Sequence, residues 1–356
     1  MNEIPEVPFR DVEISDYQED QSNIGRTLKF NFKGTAGEYF SIWIVNLLLI
    51  IITLGLYSPW AKVRRLRYFY GNTQFYNRVF DFTGIPRKIL IGRLIALSIY
   101  FVFSFLGGIS ITLFLIGLVL IYLAIPFLLQ ATIRFNSRNS KFGNSRFYFD
   151  GTKKQAYKEF FKGILVYIFT LGIFFPVLIW LYKRFLIDNL FVGQLKFTLH
   201  ADWSKFMSAV YIPVFIFIGL TLTVAAVMFG LAMSNTEMLV GFLSSFYLLG
   251  FLLLGPWIAA RVFITTWNNV SLGTSKFQTN ANQWRFAWIM ASNFIAIILS
   301  VGLLSAWAAI RIHKYKVESL SLTLNDDPDH LYNLAQNEPG TIAEEISDIF
   351  DFDFSL

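Results

Sequence analysis

Apolar residues run in seven long stretches, 39–57, 89–105, 109–129, 163–182, 208–231, 239–259 and 286–309. Such runs approach the roughly 20 residues that a helix needs to cross a hydrocarbon core. Between them, apolar and polar positions alternate with the period of two that marks a strand. In Asn139-Ser140-Lys141-Phe142-Gly143-Asn144-Ser145-Arg146-Phe147-Tyr148-Phe149 the alternation folds about Gly-Asn, and Gly193-Gln194 and Gly273-Thr274-Ser275 mark similar turns. The pattern predicts an α-helical multi-pass membrane protein with short β-hairpins linking the membrane helices. Lone hairpins are marginal in water, so these must pack together or on the bilayer surface.

The same pattern recurs five times. With Pro59 as anchor, 28–73 aligns without gaps to 145–190 and to 275–320. Phe30 then matches Phe147 and Phe277, Gly34 matches Gly151 and Ala281, and Thr53-Leu54-Gly55 matches Thr170-Leu171-Gly172 and Ser300-Val301-Gly302. Two longer copies, from Phe80 to Asn139 and from Phe197 to Asn269, insert an extra apolar stretch. The anchors Pro59, Pro126, Pro176 and Pro256 are each followed thirteen residues later by Asn72, Asn139, Asn189 and Asn269; Ala306 and Ser319 hold these places in the fifth copy. Internal periodicity of this kind identifies a repeat architecture. The expected units lie near 28–79, 80–144, 145–194, 195–274 and 275–324. Each reads as a Phe-rich strand, a turn with Gly or Ala, an apolar helix, a Pro break, a basic helix end, and Asn.

Composition sharpens this. The chain of 356 residues is 55% hydrophobic and 15% charged, with a mean hydropathy of +0.51, whereas soluble domains carry about 25% charge. Lys and Arg are absent from 94–133 and 206–260. The net charge of +6 comes from basic residues clustered beside apolar runs, as in cytoplasmic loops of membrane proteins, and not from a nucleic-acid face. Residues 1–26 lack the n-region and h-region of a signal peptide and read as a disordered tail. The stretch 325–356 holds nine acidic and no basic residues. Within it, Pro339-Gly340-Thr341 opens a candidate amphipathic helix carrying Ile342, Ile346, Ile349 and Phe350.

Thr53-Leu54-Gly55-Leu56-Tyr57-Ser58-Pro59-Trp60-Ala61-Lys62-Val63-Arg64-Arg65, with Arg67-Tyr68-Phe69-Tyr70-Gly71-Asn72-Thr73, Ile91-Gly92-Arg93 and the acidic end at Phe352-Asp353, resembles the YjgN-like inner-membrane proteins. The resemblance covers the chain from about residue 27. It implies a bacterial multi-pass protein of the inner membrane. The family is one of unknown function, so it supplies no activity, substrate or catalytic residue.

Candidate chemistry is sparse. Cysteine is absent. His200, His313 and His330 fall in different segments, which argues against a metal site. No phosphate loop or nucleophile elbow is present, so no cofactor and no enzymatic activity are expected. Gly107-Gly108 reads as a tight turn between two helices. Asn46 and Asn293, at equivalent repeat positions, are interhelical glue or the two halves of an intramembrane polar site. Lys62, Arg64, Arg65 and Arg67 form an interfacial basic anchor, with anionic lipid head groups as the alternative role. The bilayer is the expected partner, and a cytoplasmic protein is a candidate partner through the hairpins or the acidic tail. Two function classes follow: a non-enzymatic scaffold or envelope factor, and, as the alternative, a transporter or channel for a small solute. Seven full spans would place equivalent hairpins in opposite compartments. Re-entry of the three short units, turning at their Thr/Ser-Leu/Val-Gly triplets, would keep all hairpins on the cytoplasmic side and leave four full spans.

Overall fold

The computed structural model describes residues 25–230 and 236–325. Among these, ten helices are arranged as five antiparallel hairpins. Three are short: α1 Ala36–Ile52 with α2 Ser58–Gly71, α5 Lys153–Phe169 with α6 Phe175–Asp188, and α9 Gln283–Leu299 with α10 Ser305–Glu318. Two are long: α3 Pro86–Ile109 with α4 Ile111–Arg138, and α7 Trp203–Gly230 with α8 Thr236–Trp267. Each helix packs on the next, and α10 packs on α1.

Among the described residues four helices, α3, α4, α7 and α8, are long and apolar enough to cross a membrane. Of the two counts left open by the sequence, four spans agrees with these helices and seven does not. The 28 residues of α4 extend about 42 Å, whereas the 17 of α1 reach only about 25 Å before the chain turns back. The three short turns share one geometry. Leu54, Leu171 and Val301 adopt φ near +50°, followed by Gly55, Gly172 and Gly302 near +82° to +91°. The glycine N–H donates to a carbonyl five residues back, at 2.7 to 2.8 Å, while the Thr53 and Thr170 hydroxyls donate to the carbonyl four back and accept from the N–H four ahead. These backbone groups thus find partners locally, as a non-aqueous surrounding demands. Leu54, Leu171 and Val301 stand 91–93% exposed at the tips.

The expected proline break holds only in the short hairpins, where Pro59 and Pro176 occupy the first turn of α2 and α6. Pro126 and Pro256 lie inside α4 and α8, which run on through them. Gly107-Gly108 is likewise not the turn: both sit in α3, and the chain breaks at Ser110, which caps α4.

The strands are β1 Thr27–Lys29, β2 Asn31–Phe32, β3 Thr73–Phe75, β4 Arg78–Phe82, β5 Ser140–Phe142, β6 Ser145–Phe149, β7 Leu190–Val192, β8 Leu195–Leu199, β9 Val270–Leu272, β10 Ser275–Thr279 and β11 Leu320–Thr323. They are not separate hairpins but one antiparallel sheet. β1 pairs with β11 and the adjoining β2 with β3, so the sheet closes into a ring. Closure leaves no free edge. Thr27 pairs with Thr323, Leu28 with Leu322 and Lys29 with Ser321, and Gly25 and Arg26 exchange backbone hydrogen bonds with Leu324. One ring also places all the strand turns at the same end of the helices.

The turn after each inner strand explains the small residues there. A Cβ on Gly34, Gly84 or Gly151 would lie 2.4–2.6 Å from the ring of Phe32, Phe82 or Phe149, two residues earlier. Where that earlier residue is Leu199 or Thr279, alanine fits instead, at Ala201 and Ala281. The candidate helix at 341–350 and most of both terminal tails lie outside the described residues.

Candidate functional site

The pleat of the ring sends alternate side chains inward. Phe30, Phe80, Phe147, Phe197 and Phe277 come from five different strand segments and close a cycle of aromatic contacts. Neighbouring centroids are 6.4 Å (Phe30–Phe80), 6.4 Å (Phe80–Phe147), 6.3 Å (Phe147–Phe197), 6.0 Å (Phe197–Phe277) and 6.2 Å (Phe277–Phe30) apart. Their planes differ by only 19–30°. Cross-strand partners thicken this plug: Phe142 opposes Phe80, Val192 opposes Phe147, Leu272 opposes Phe197 and Leu322 opposes Phe277. Four of the five residues that precede these phenylalanines are basic and exposed, Lys29, Arg146, Lys196 and Lys276, and Val79 holds the fifth place.

On the helix side of the plug the interior becomes basic. Ile179 and Leu186 pack on the core of the ring, and Lys183 shares their face of α6. Burial lowers the pKa of Lys183, and the charge of Lys316 on α10 lowers it further. In the order of helix packing, α7 and α8 separate α6 from α9 and α10, so these lysines sense one another across the interior. Burial lowers the pKa of Lys316 as well. Neither lysine has an ion-pair partner among the described residues. His313, one turn before Lys316, contacts Phe32, Phe69 and the Thr73 hydroxyl (3.3 Å). Its pKa falls to about 4, chiefly by burial and then by the charge of Lys316.

A cavity of about 1380 Å³ lies between α8, α9 and α10, with almost entirely apolar walls. A smaller one, of about 190 Å³, lies between α4, α5 and α6. Among the described residues no three His, Asp or Glu side chains gather as metal ligands. The ring of His200 bonds the Ser271 hydroxyl at 2.8 Å, and His330 lies outside the described residues.

The residues singled out in the sequence take definite places. Asn72, Asn139, Asn189 and Asn269 each follow the last residue or turn of a helix, and each side-chain amide donates to the carbonyl four residues back at 2.7–2.8 Å. Their own backbone carbonyls accept from Lys33, Thr83, Asp150 and His200 at 2.8–2.9 Å. The recurrent asparagine thus ends the second helix of a hairpin and ties it to the segment entering the first. Asn46 and Asn293 are buried, each inside its own short hairpin. Arg64 donates to Asn46 (3.4 Å) and Arg311 to Asn293 (3.1 Å), while Asn293 donates to the Ala308 carbonyl (3.0 Å). No hydrogen bond joins the two asparagines among the described residues. Of the basic anchor, Arg65 is exposed, Arg67 donates to the Phe82 carbonyl (3.1 Å), and half-buried Lys62 has its pKa lowered, first by burial and then by Arg93 and Arg65. Sequence reading missed the five-phenylalanine cycle and the lysine pair. Its one available signal was a Phe at the centre of every first strand; nothing local marked Lys183 or Lys316.

The chain matches the model of a family described as bacterial protein of unknown function (DUF898) over residues 27–349. It is 33% identical to the inner membrane protein YjgN of Salmonella typhimurium over 142 residues, 38% of this chain and 34% of that protein. Identity to YjgN of Escherichia coli O157:H7 is 32% over 150 residues, 41% of this chain and 37% of that protein. The matched region thus spans little more than a third of these relatives' length. No solved structure matches the chain. The four apolar helices and these inner-membrane relatives fit a multi-pass protein of the inner membrane. Since the family match begins in the first strand of the ring and runs past the last, the chain belongs to the DUF898 family of bacterial proteins of unknown function.

Proposed function

We propose that the protein is a non-enzymatic membrane passage for a small solute, built from five repeats in one chain around a pseudo-five-fold axis. The strand ring faces the cytoplasm, and the five phenylalanines shut the path. The cycle of Phe30, Phe80, Phe147, Phe197 and Phe277 carries this reading, because it sits where a closed ring of strands would otherwise leave a lumen. Apolar constrictions gate by excluding water, and so bar ions without any rigid barrier. The half-buried lysines behind the constriction, without ion-pair partners among the described residues, support it: a purely structural core has little use for them, since even partly desolvated charge is costly. Basic residues around the ring agree with the positive-inside rule. A scaffold whose hairpins and tail bind a cytoplasmic partner ranks second, because it gives the interior lysines no task.

Solute flux into proteoliposomes tests the reading. The double variant Phe147→Ser with Phe197→Ser should fold, as judged by gel filtration and circular dichroism, and raise flux of at least one small solute tenfold or more over wild type. A folded double variant as tight as wild type across a panel of cations, anions and neutral solutes would overturn the passage and favour the scaffold.

A further inference from the structure

The lining of the large cavity ends at Ile312, about one helical turn short of Lys316. Ser305, Ala309 and Ile312 line the cavity from α10, and helical geometry places Lys316 on that same stripe, four residues beyond Ile312. Met290, Asn293 and Ile297 line it from α9, and the same stripe continues to Phe286, over which the Lys316 ammonium sits at 5.6 Å. Phe263 of α8 lies tilted against Phe286, with ring centroids 5.3 Å apart. The cavity thus has nearly apolar walls, and Phe286, Phe263 and the Lys316 ammonium lie just beyond its lining, one turn further along the helices towards the ring. Lys183 adds a second charge across the interior. The ends of α6 and α10 favour positive charge near their last carbonyls, yet they supply no anion.

We propose that this cavity binds an anionic amphiphile, with an acyl chain against α8, α9 and α10 and its carboxylate or phosphate at Lys316, within reach of the field of Lys183. An uncompensated ammonium in a desolvated site gains most from a charge-assisted partner. Apart from Ser245, Asn293 and Ser305 the walls are apolar, so a simple inorganic anion would leave most of the cavity unfilled. The inference deepens the passage reading by naming its solute class. The head group belongs either to a free fatty acid or to an anionic phospholipid, and the experiment separates them.

The full chain, stripped of lipid in a neutral detergent, is titrated calorimetrically with laurate and with its uncharged counterpart dodecanol. Laurate should bind at least tenfold more tightly than dodecanol. Lys316→Gln should erase that ratio, and Ala309→Trp should weaken both ligands by filling the cavity. Equal affinities for laurate and dodecanol in wild type, or wild-type laurate affinity in both variants, would overturn the site. In nanodiscs, displacement of laurate by phosphatidylglycerol but not by phosphatidylcholine identifies the lipid as source. Displacement by neither identifies the free acid. Laurate binding as stated, together with a folded but impermeable Phe147→Ser, Phe197→Ser variant, would leave the site standing and remove the passage. A permeable variant with no laurate preference does the reverse.

Discussion

The long hairpins, α3–α4 and α7–α8, and the short ones, α1–α2, α5–α6 and α9–α10, rise from the same strand ring and end at different depths. In α4 and α8 the helix continues through Pro126 and Pro256, whereas in α2 and α6 it begins at Pro59 and Pro176. The short arms turn over on two consecutive residues of positive φ, and the tip side chains are apolar and exposed. Proline alone therefore does not decide whether a helix breaks. A glycine able to take φ near +90° three or four residues earlier does, because it lets the preceding helix close its last carbonyls on itself. The long hairpins supply membrane anchorage, while all five hairpins supply the ring.

Topology offers the sharpest contrast, since its outcome is all or none. The chain has no cysteine, so single replacements report cleanly. With a membrane-impermeant maleimide, Ser110→Cys at the far tip of a long hairpin should label from outside intact cells. Gln194→Cys and Lys276→Cys, both at exposed positions of the strand turns, should label only after permeabilisation, and Leu171→Cys at a short tip from neither side. External labelling of Gln194→Cys would restore seven spans and destroy the comparison.

Packing follows. Phe82, 1% exposed, wedges the ring against Val63, Ile89 and Phe135. Phe82→Ala should cost about 3–5 kcal/mol in detergent unfolding. Phe101→Ala, on the exposed flank of α3, should cost under about 0.5 kcal/mol. A smaller difference would mean that the ring end is not the stability core.

A pH effect should come from the short hairpin α9–α10. His313 is neutral in the fold, with a pKa of about 4 caused by burial and by Lys316. The unfolded chain takes up that proton near pH 6.5, so its contribution is intact above 6.5, declines as pH falls toward 4, and levels off below. The loss should amount to about 2 kcal/mol after screening. Thermal melting of wild type and His313→Gln at pH 7 and pH 4 checks it: the variant should lose visibly less.

Glycine gives the smallest contrast, and one of opposite sign. Gly302, at φ +90°, turns a short hairpin, while Gly108 lies in α3 with open space where a Cβ would stand. Gly302→Ala should destabilise by roughly 1 kcal/mol, and Gly108→Ala should stabilise by about 0.5–1 kcal/mol. Equal responses in thermal unfolding would show that the short turns are not strained against other residues.

The sequence by itself determined what is local. Apolar run length separated the membrane segments, alternation marked the strands, and in the short hairpins the interval from Pro59 to Asn72 and from Pro176 to Asn189 marked a helix from its first turn to its cap. Those signals are legible because an asparagine amide bonding four residues back, or a proline in a first helical turn, acts within its own segment. Even so, the same runs left seven spans and four spans with three re-entrant units both open, because hydropathy measures composition and not where the chain reverses. Only the tertiary structure decided that Thr27 meets Thr323, that five phenylalanines converge, and that Lys183 and Lys316 face a shared interior. Those contacts join residues far apart in the chain, and each exists only once the ring has closed.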